Sequence, residues 1–254
     1  MNGPGARSGG RRGDRRDKDQ DSGFCFDLSC LPNRKEDIPP KNSNQLSPSS
    51  EPVEDIEKAS VNAIFRMALA IQAEGKLDEA CKLYEQIVVL DRDHLDSWYN
   101  LGHIREEQQN SKEAVRCLKE ALRINPDDKE SHLLMAYAME SLEDIQGAVT
   151  HYKEATRIDP TCTNAHYNLA NAYHDMNMLD ESASEYRKVL EIEPENVDCY
   201  FNLGVVLQDA GQLGEALASY EAASRLNPAL EDATTAANGI KAFMAESASE
   251  PSVP

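Results

Sequence analysis

Trp98-Tyr99-Asn100-Leu101-Gly102, followed by Ala114, Leu118, Ala121, Leu122 and Pro126, decides how this chain is read. Apolar residues recur at helical spacing in two runs separated by a break, first Trp98 and Leu101, then Ala114, Leu118, Ala121 and Leu122. The stretch is therefore a helix, a tight turn and a second helix. Pro126 stops the second helix, because proline has no N–H to donate and disfavours helix in the residue before it. Outward from this stretch the pattern returns with a period of 34 residues, in blocks beginning at Val61, Leu95, Lys129, Thr163 and Val197, with no insertion or deletion. Position 8 of the block holds Ala68, Gly102, Ala136, Ala170 and Gly204, and position 20 holds Ala80, Ala114, Ala148, Ser182 and Ala216. Position 24 carries Tyr84, Leu118, Tyr152, Tyr186 and Tyr220, and position 32 carries Arg92 and then Pro126, Pro160, Pro194 and Pro228. Small residues at 8 and 20 let two backbones approach, and the large side chain at 24 fills the space beside them. A lone helix pair cannot bury its apolar face, so the blocks must stack.

These columns resemble the tetratricopeptide repeat over 170 of the 254 residues. The resemblance implies an all-α solenoid, a right-handed superhelix of helix-turn-helix repeats whose first helices line a concave groove. The repeats are expected at 61–94, 95–128, 129–162, 163–196 and 197–230, inside a folded part covering 54–230, with the first helix starting near Glu54. A capping helix is expected at 231–245, with Ala233, Ala236, Ala237, Ile240, Phe243 and Met244 on its inner face, and a flexible C-terminus at 246–254. Three departures from the pattern carry expectations. Arg92, in place of proline, should loosen the exit of the first repeat. Ser182 should hydrogen-bond back to its own helix. His132 and His166, at the usual aromatic position, should be half-buried packing residues and not ligands.

Residues 1–53 are rich in Gly, Arg, Asp, Ser, Asn and Pro and cannot bury enough apolar surface to offset chain entropy, so a disordered tail is expected. Phe24, Phe26, Leu28 and Leu31 form an apolar island at 24–31, which either docks on a partner or on the folded part, or is a chance cluster. The net charge is -19, from 45 acidic and 26 basic residues, which argues against nucleic acid as a partner. No run of 18 apolar residues exists to span a membrane. Six cysteines without a disulfide or zinc framework read as reduced thiols, and the arginines near the N-terminus are interrupted by acids that transit peptides avoid, so a cytoplasmic address is expected ahead of a nuclear or organellar one. The chain shows no phosphate-binding Gly-rich loop, no metal-spaced His or Cys cluster and no nucleophile with its base. A non-enzyme without metal or cofactor is expected.

In the family that the chain resembles, positions 2, 5, 6, 9, 12 and 13 of each block face the groove. By that resemblance Phe65, Tyr99, Tyr167 and Phe201 form an apolar strip, and Asn100, Asn168, Asn171 and Asn202 form an amide ladder able to pair with an extended peptide backbone. The same tyrosines and asparagines are common across the family, so they equally report ancestry. Asp96, Glu106, Glu130, Asp175, Asp198 and Asp209 rim the groove in acid, and Arg66 is the one Lys or Arg at any of these positions. An acidic cleft draws basic ligands. The family's chaperone-tail clamp of Lys, Asn and Arg finds Phe65, Leu69, Asn100, Glu130 and Leu134 at its positions, with only the asparagine agreeing, and a shift by one repeat also fails. The reading is an adaptor or scaffold that binds a basic and apolar protein segment. The alternative is a fixed subunit of a larger assembly that uses its convex face and tail.

Overall fold

A computed structural model describes residues 52–249 of the chain, and side chains from 58 to 247. The expected tail and its motif Phe24, Phe26, Leu28 and Leu31 lie outside the described residues. Eleven helices and no strands occur among the described residues. They are α1 (Pro52–Ala73), α2 (Leu77–Leu90), α3 (Leu95–Glu107), α4 (Ser111–Ile124), α5 (Lys129–Ser141), α6 (Ile145–Ile158), α7 (Thr163–Asp175), α8 (Leu179–Ile192), α9 (Val197–Asp209), α10 (Leu213–Leu226) and α11 (Glu231–Ser249). Helices pack in consecutive pairs, and each pair's second helix packs on the first helix of the next pair. This is a solenoid, in which almost every contact is between chain neighbours.

The turn inside each repeat keeps one geometry, which glycine or asparagine advertises in three repeats and Gln109 and Glu143 conceal in the other two. Gly75, Gln109, Glu143, Asn177 and Gly211, all at position 15, have φ between 57° and 76°. Each first helix ends in the same bond pair, such as Gln109 N–H to the Glu106 carbonyl at 2.8 Å and Asn110 N–H to the Arg105 carbonyl at 2.8 Å. This satisfies carbonyls that the helix end would otherwise leave bare. A β-carbon in that conformation costs about 1–2 kcal/mol. Gln109→Gly and Glu143→Gly should therefore each raise stability by about 0.5–1 kcal/mol in urea unfolding, and a loss in both variants would contradict this account of the turn.

Close approach of paired helices is enforced at position 8. A β-carbon on Gly204 would lie 2.7–3.0 Å from three ring carbons of Tyr220, and one on Gly102 would lie 2.9 Å from Leu118 Cγ. The position-24 side chain thus rests on the backbone of the partner helix. Ser182, at the other small position, is fully buried and donates to the Ala170 carbonyl on α7 at 2.7 Å. It satisfies itself across the helix pair and not on its own helix, which corrects the expectation.

Position 4 has a role that its variety conceals. Trp98 Nε1–H donates to the Arg92 carbonyl at 2.9 Å, His132 Nε2–H to the Pro126 carbonyl at 2.9 Å, and His166 Nε2–H to the Pro160 carbonyl at 3.0 Å. An indole and an imidazole substitute for one another because each carries a ring N–H to the same inter-repeat loop. His132 and His166 are thus buried hydrogen-bonding residues, 7% and 4% exposed, and not half-buried packing groups. Arg92 does not loosen the first exit either: α2 ends at Leu90, and Asp91 Oδ1 accepts from Asp93 N–H at 3.0 Å, as Asn125 does for Asp127 at 3.1 Å. The held carbonyl and the side-chain turn replace the missing proline.

At the ends, α1 starts at Pro52, a residue suited to the first turn because its missing N–H has no helical acceptor there. The closing helix runs to Ser249, four residues beyond the expected end. Ala233, Ala237 and Ile240 are buried and Ala236 half-buried, but Phe243 and Met244 are 58% and 44% exposed. The helix passes the edge of the last repeat before it reaches them, so they leave the inner face expected of them.

Candidate peptide-binding groove

Positions 12 and 24 form a polar ladder between the two helices of a repeat. Tyr84 Oη donates to Gln72 Oε1 at 2.8 Å, Tyr152 Oη to Glu140 Oε2 at 3.0 Å, and Tyr220 Oη to Gln208 Oε1 at 3.1 Å. In the second repeat Leu118 has no hydroxyl, and Glu106 accepts instead from Ser111 Oγ at 3.1 Å and Ser141 Oγ at 2.6 Å. In the fourth repeat Tyr186 donates to Asn171 Oδ1, and His174 Nε2 lies 2.9 Å from Asp209 Oδ2. Sequence reasoning missed this ladder. The tyrosine column was visible, but Gln72, Glu140 and Gln208 share only hydrogen-bond acceptance.

The expected groove residues divide by repeat. Phe65 is fully buried, its ring 5.8 Å from Tyr84 and 4.9 Å from His94. Tyr99 is buried with its ring 6.3 Å from His103, and Asn100 is buried with Nδ2–H donating to Tyr84 Oη at 3.3 Å. Asn171 is buried as well. These four are not surface groups: neighbours take up the two rings and the Asn100 amide, and Tyr186 binds Asn171 at Oδ1. Tyr167, Asn168, Phe201 and Asn202, in the fourth and fifth repeats, are half-buried and reach the surface. The Tyr167 ring meets Tyr186 edge-on at 5.6 Å, and Phe201 lies 5.6 Å from Tyr220. Asn202 Nδ2–H donates to Tyr167 Oη at 2.6 Å, tying the first helices of the two repeats together. Burial pushes the Tyr167 phenol up to about 12, so its own O–H stays protonated and able to donate.

The acidic rim is likewise uneven. Glu106 is buried and bound to serines, so it leaves the rim, and Asp96 and Glu130 are half-buried, the latter 3.6 Å from Lys129. Asp175, Asp198 and Asp209 are exposed. From Thr163 onward the sequence has 15 acidic and 4 basic residues. The accessible rings and amides therefore lie on α7 and α9, the helices that carry the three exposed rim acids, within the most acidic part of the chain.

The described cysteines offer no reactive thiolate. Cys81, Cys117 and Cys199 are buried, Cys162 is half-buried, and burial pushes Cys117 up to about 11 and Cys199 up to about 12. Among the described residues no group of His, Cys, Asp or Glu is arranged to hold a metal ion. No described helix is long and apolar enough to cross a membrane.

Comparison with known proteins agrees with this architecture. Profiles described as tetratricopeptide repeat match residues 62–93, 95–128 and 197–230, and one described as TPR repeat matches 141–177 and 170–211. No curated protein sequence matches the chain significantly. Among solved structures, YrrB, described as a TPR protein with an unusual peptide-binding site, is 22% identical with a TM-score of 0.64, over 74% of this chain and 98% of its own. A MamA protein is 18% identical with a TM-score of 0.63, over 66% of this chain and 92% of its own. MamA from Desulfovibrio magneticus RS-1 is 14% identical with a TM-score of 0.62, over 67% and 96%. At these identities the likeness is one of fold. With three of the repeat profiles falling on helix pairs that the 34-residue period marks and the fourth covering α6 to α9, the chain belongs to the tetratricopeptide repeat family.

Proposed function

We propose that the protein is a non-catalytic adaptor that holds an extended, basic and apolar segment of a partner protein against α7 and α9. One observation carries this reading: Tyr167, Asn168, Phe201 and Asn202 are the expected groove residues that reach the surface, and they do so beside Asp175, Asp198 and Asp209. Half-buried rings offer apolar anchoring, and an amide donates and accepts at once, so it serves a peptide backbone of any sequence. YrrB, which shares the fold and is described as having an unusual peptide-binding site, supports peptide binding as a use of such an array. Each hydrogen bond would contribute about 0.5–1.5 kcal/mol, so two or three amides and both rings are needed together. Partner recovery from cell extract should fall at least tenfold in a Tyr167→Ala, Asn168→Ala, Asn202→Ala variant, and more in high salt than in low salt. Undiminished recovery would overturn the groove, and salt-independent recovery would overturn the basic ligand.

A fixed place in a larger assembly is the second reading. Val89 and Leu90 favour it, being 83% and 64% exposed at the end of α2. A subunit of this kind would elute from native extract only in a large complex, whereas an adaptor would run mostly free.

A further inference from the structure

Adjacent first helices in the solenoid meet through a repeated side-chain rung between position 12 of one repeat and position 13 of the next. Between α3 and α5 the rung is Glu106 and Ser141, with Ser141 Oγ donating to Glu106 Oε1 at 2.6 Å. Between α7 and α9 it is His174 and Asp209, at 2.9 Å. Each joins an acceptor to a donor 35 residues away. The same step of 35 residues from Glu140 on α5 reaches Asp175 on α7, so the two positions of this rung hold two carboxylates, near enough for the charge of Asp175 to act on Glu140. Glu140 uses one oxygen to accept from Tyr152 Oη, and among the described residues no lysine or arginine forms an ion pair with either acid, His174 being the basic group beside Asp175. Burial pushes Glu140 up to about 7, with Asp175 adding to the effect, and burial also raises Asp175, partly offset by His174 beside it.

A second observation one helical turn away on α7 points to a ligand at the same place. Asn171 is 4% exposed, Tyr186 on α8 donates to its Oδ1, and its Nδ2 has no hydrogen-bond partner. Asn171 and Asp175 are four residues apart on α7, so their side chains lie on one face of the helix, and with Oδ1 held by Tyr186 the amide has only its N–H group left to offer there. A buried donor left without an acceptor is rare in a folded protein unless a ligand or water completes it.

We propose that Glu140 and Asp175 form the receptor for an arginine side chain of the bound segment, with Asn171 Nδ2 donating to a main-chain carbonyl of the same segment. The proposal rests on the groove reading above and locates its basic anchor between the third and fourth repeats. A guanidinium suits the site because its planar fork of five donors spans two carboxylates, and the Tyr152 bond leaves an oxygen of Glu140 free to accept. The rung then matches its two neighbours, with the cation supplied from outside the chain.

The test is a titration of the isotopically labelled full chain, followed by nuclear magnetic resonance, with N-acetyl-arginine methylamide as the probe. The citrulline analogue, of the same shape without charge, is the control. Saturable shifts are expected at the Asn171 side-chain amide and at the backbone of Glu140 and Asp175. Binding should weaken at least tenfold in Glu140→Gln, which keeps an acceptor for Tyr152, and in Asp175→Asn, and should be absent with citrulline. Equal binding of the two probes, no saturable binding, or indifference to both substitutions would overturn the receptor. Partner recovery in the groove variants separates the two claims. Recovery lost in those variants, with an arginine titration indifferent to Glu140→Gln, keeps the groove and removes the receptor. Saturable arginine binding with undiminished recovery keeps the cation site and removes the groove.

Discussion

Replacing Tyr186 by alanine should destabilise the repeat array by about 3–5 kcal/mol, the range for truncating a large buried aromatic side chain to alanine in a core. The ring is 1% exposed and packs in a cluster with Ala170, Val189, Leu203, Val206 and Leu207. It also meets the Tyr167 ring edge-on at 5.6 Å, so its loss opens a cavity against the helices of two repeats. Nothing nearby can fill that space, because Ala170, Ser182 and Ala183 are small and fixed by the close approach of α7 and α8. Tyr186→Phe isolates the hydroxyl. It keeps the ring but leaves Asn171 with both ends of its buried amide unpaired, a loss of about 1–3 kcal/mol. Arg187→Ala, which removes only an exposed 2.8 Å pair with Glu215, should cost less than about 1 kcal/mol. Urea unfolding of the three variants checks the order. The slope needs to be compared along with the midpoint, since a repeat array can lose one end before the rest. A Tyr186→Ala loss below that of Arg187→Ala would refute the packing role assigned to position 24.

How much of this was legible in the sequence depends on whether a position repeats by residue type or by chemical role. The period, the helix pairs, the small residues at positions 8 and 20 and the large side chain at position 24 were all legible, because sterics admit few residue types there. Position 15 was legible only at Gly75, Asn177 and Gly211. Left-handed backbone is signalled by glycine or asparagine, and Gln109 and Glu143 adopt it only because the helices on either side leave no other path. Position 4 was hidden for the opposite reason, since Trp98, His132 and His166 differ in shape but offer one N–H to one carbonyl. The groove shows the limit most plainly. Asn100 and Asn202 occupy the same position of their repeats, yet one is buried on the Tyr84 hydroxyl and the other half-buried on the Tyr167 hydroxyl. A periodic pattern assigns both to the concave face and cannot say which is spent on internal bonds.

Glu140→Gln should stabilise the free protein at pH 8 and leave it unchanged near pH 4, because the wild-type carboxyl holds its proton far longer in the folded chain than in the unfolded one. Its folded value is raised to about 7 from an ordinary 4.5, chiefly by burial. Between those two values the folded state is protonated where the unfolded state has ionised, so stability falls as pH rises through the window and the cost persists above it. The full shift would correspond to about 3 kcal/mol, and partial exposure and screening reduce this to the order of 1–3 kcal/mol. Glutamine keeps the bond from Tyr152 and cannot ionise, so it escapes that cost. His151 pulls the other way. Burial, with His132 at 3.0 Å, lowers it to about 4 from 6.5, so the unfolded chain takes up a proton that the folded chain refuses, and stability falls as pH drops through that range. The two slopes oppose each other between about pH 4.5 and 6.5, which should leave the wild type nearly flat there. Removing Glu140 should then expose a steep loss on acidification, and His151→Asn should expose a steady loss toward alkaline pH. Urea midpoints at pH 5, 6.5 and 8 for the three proteins read this directly. Parallel profiles for wild type and Glu140→Gln would mean that the carboxyl is ordinarily ionised in the fold, and that the rung with Asp175 carries no strain for a partner's arginine to relieve.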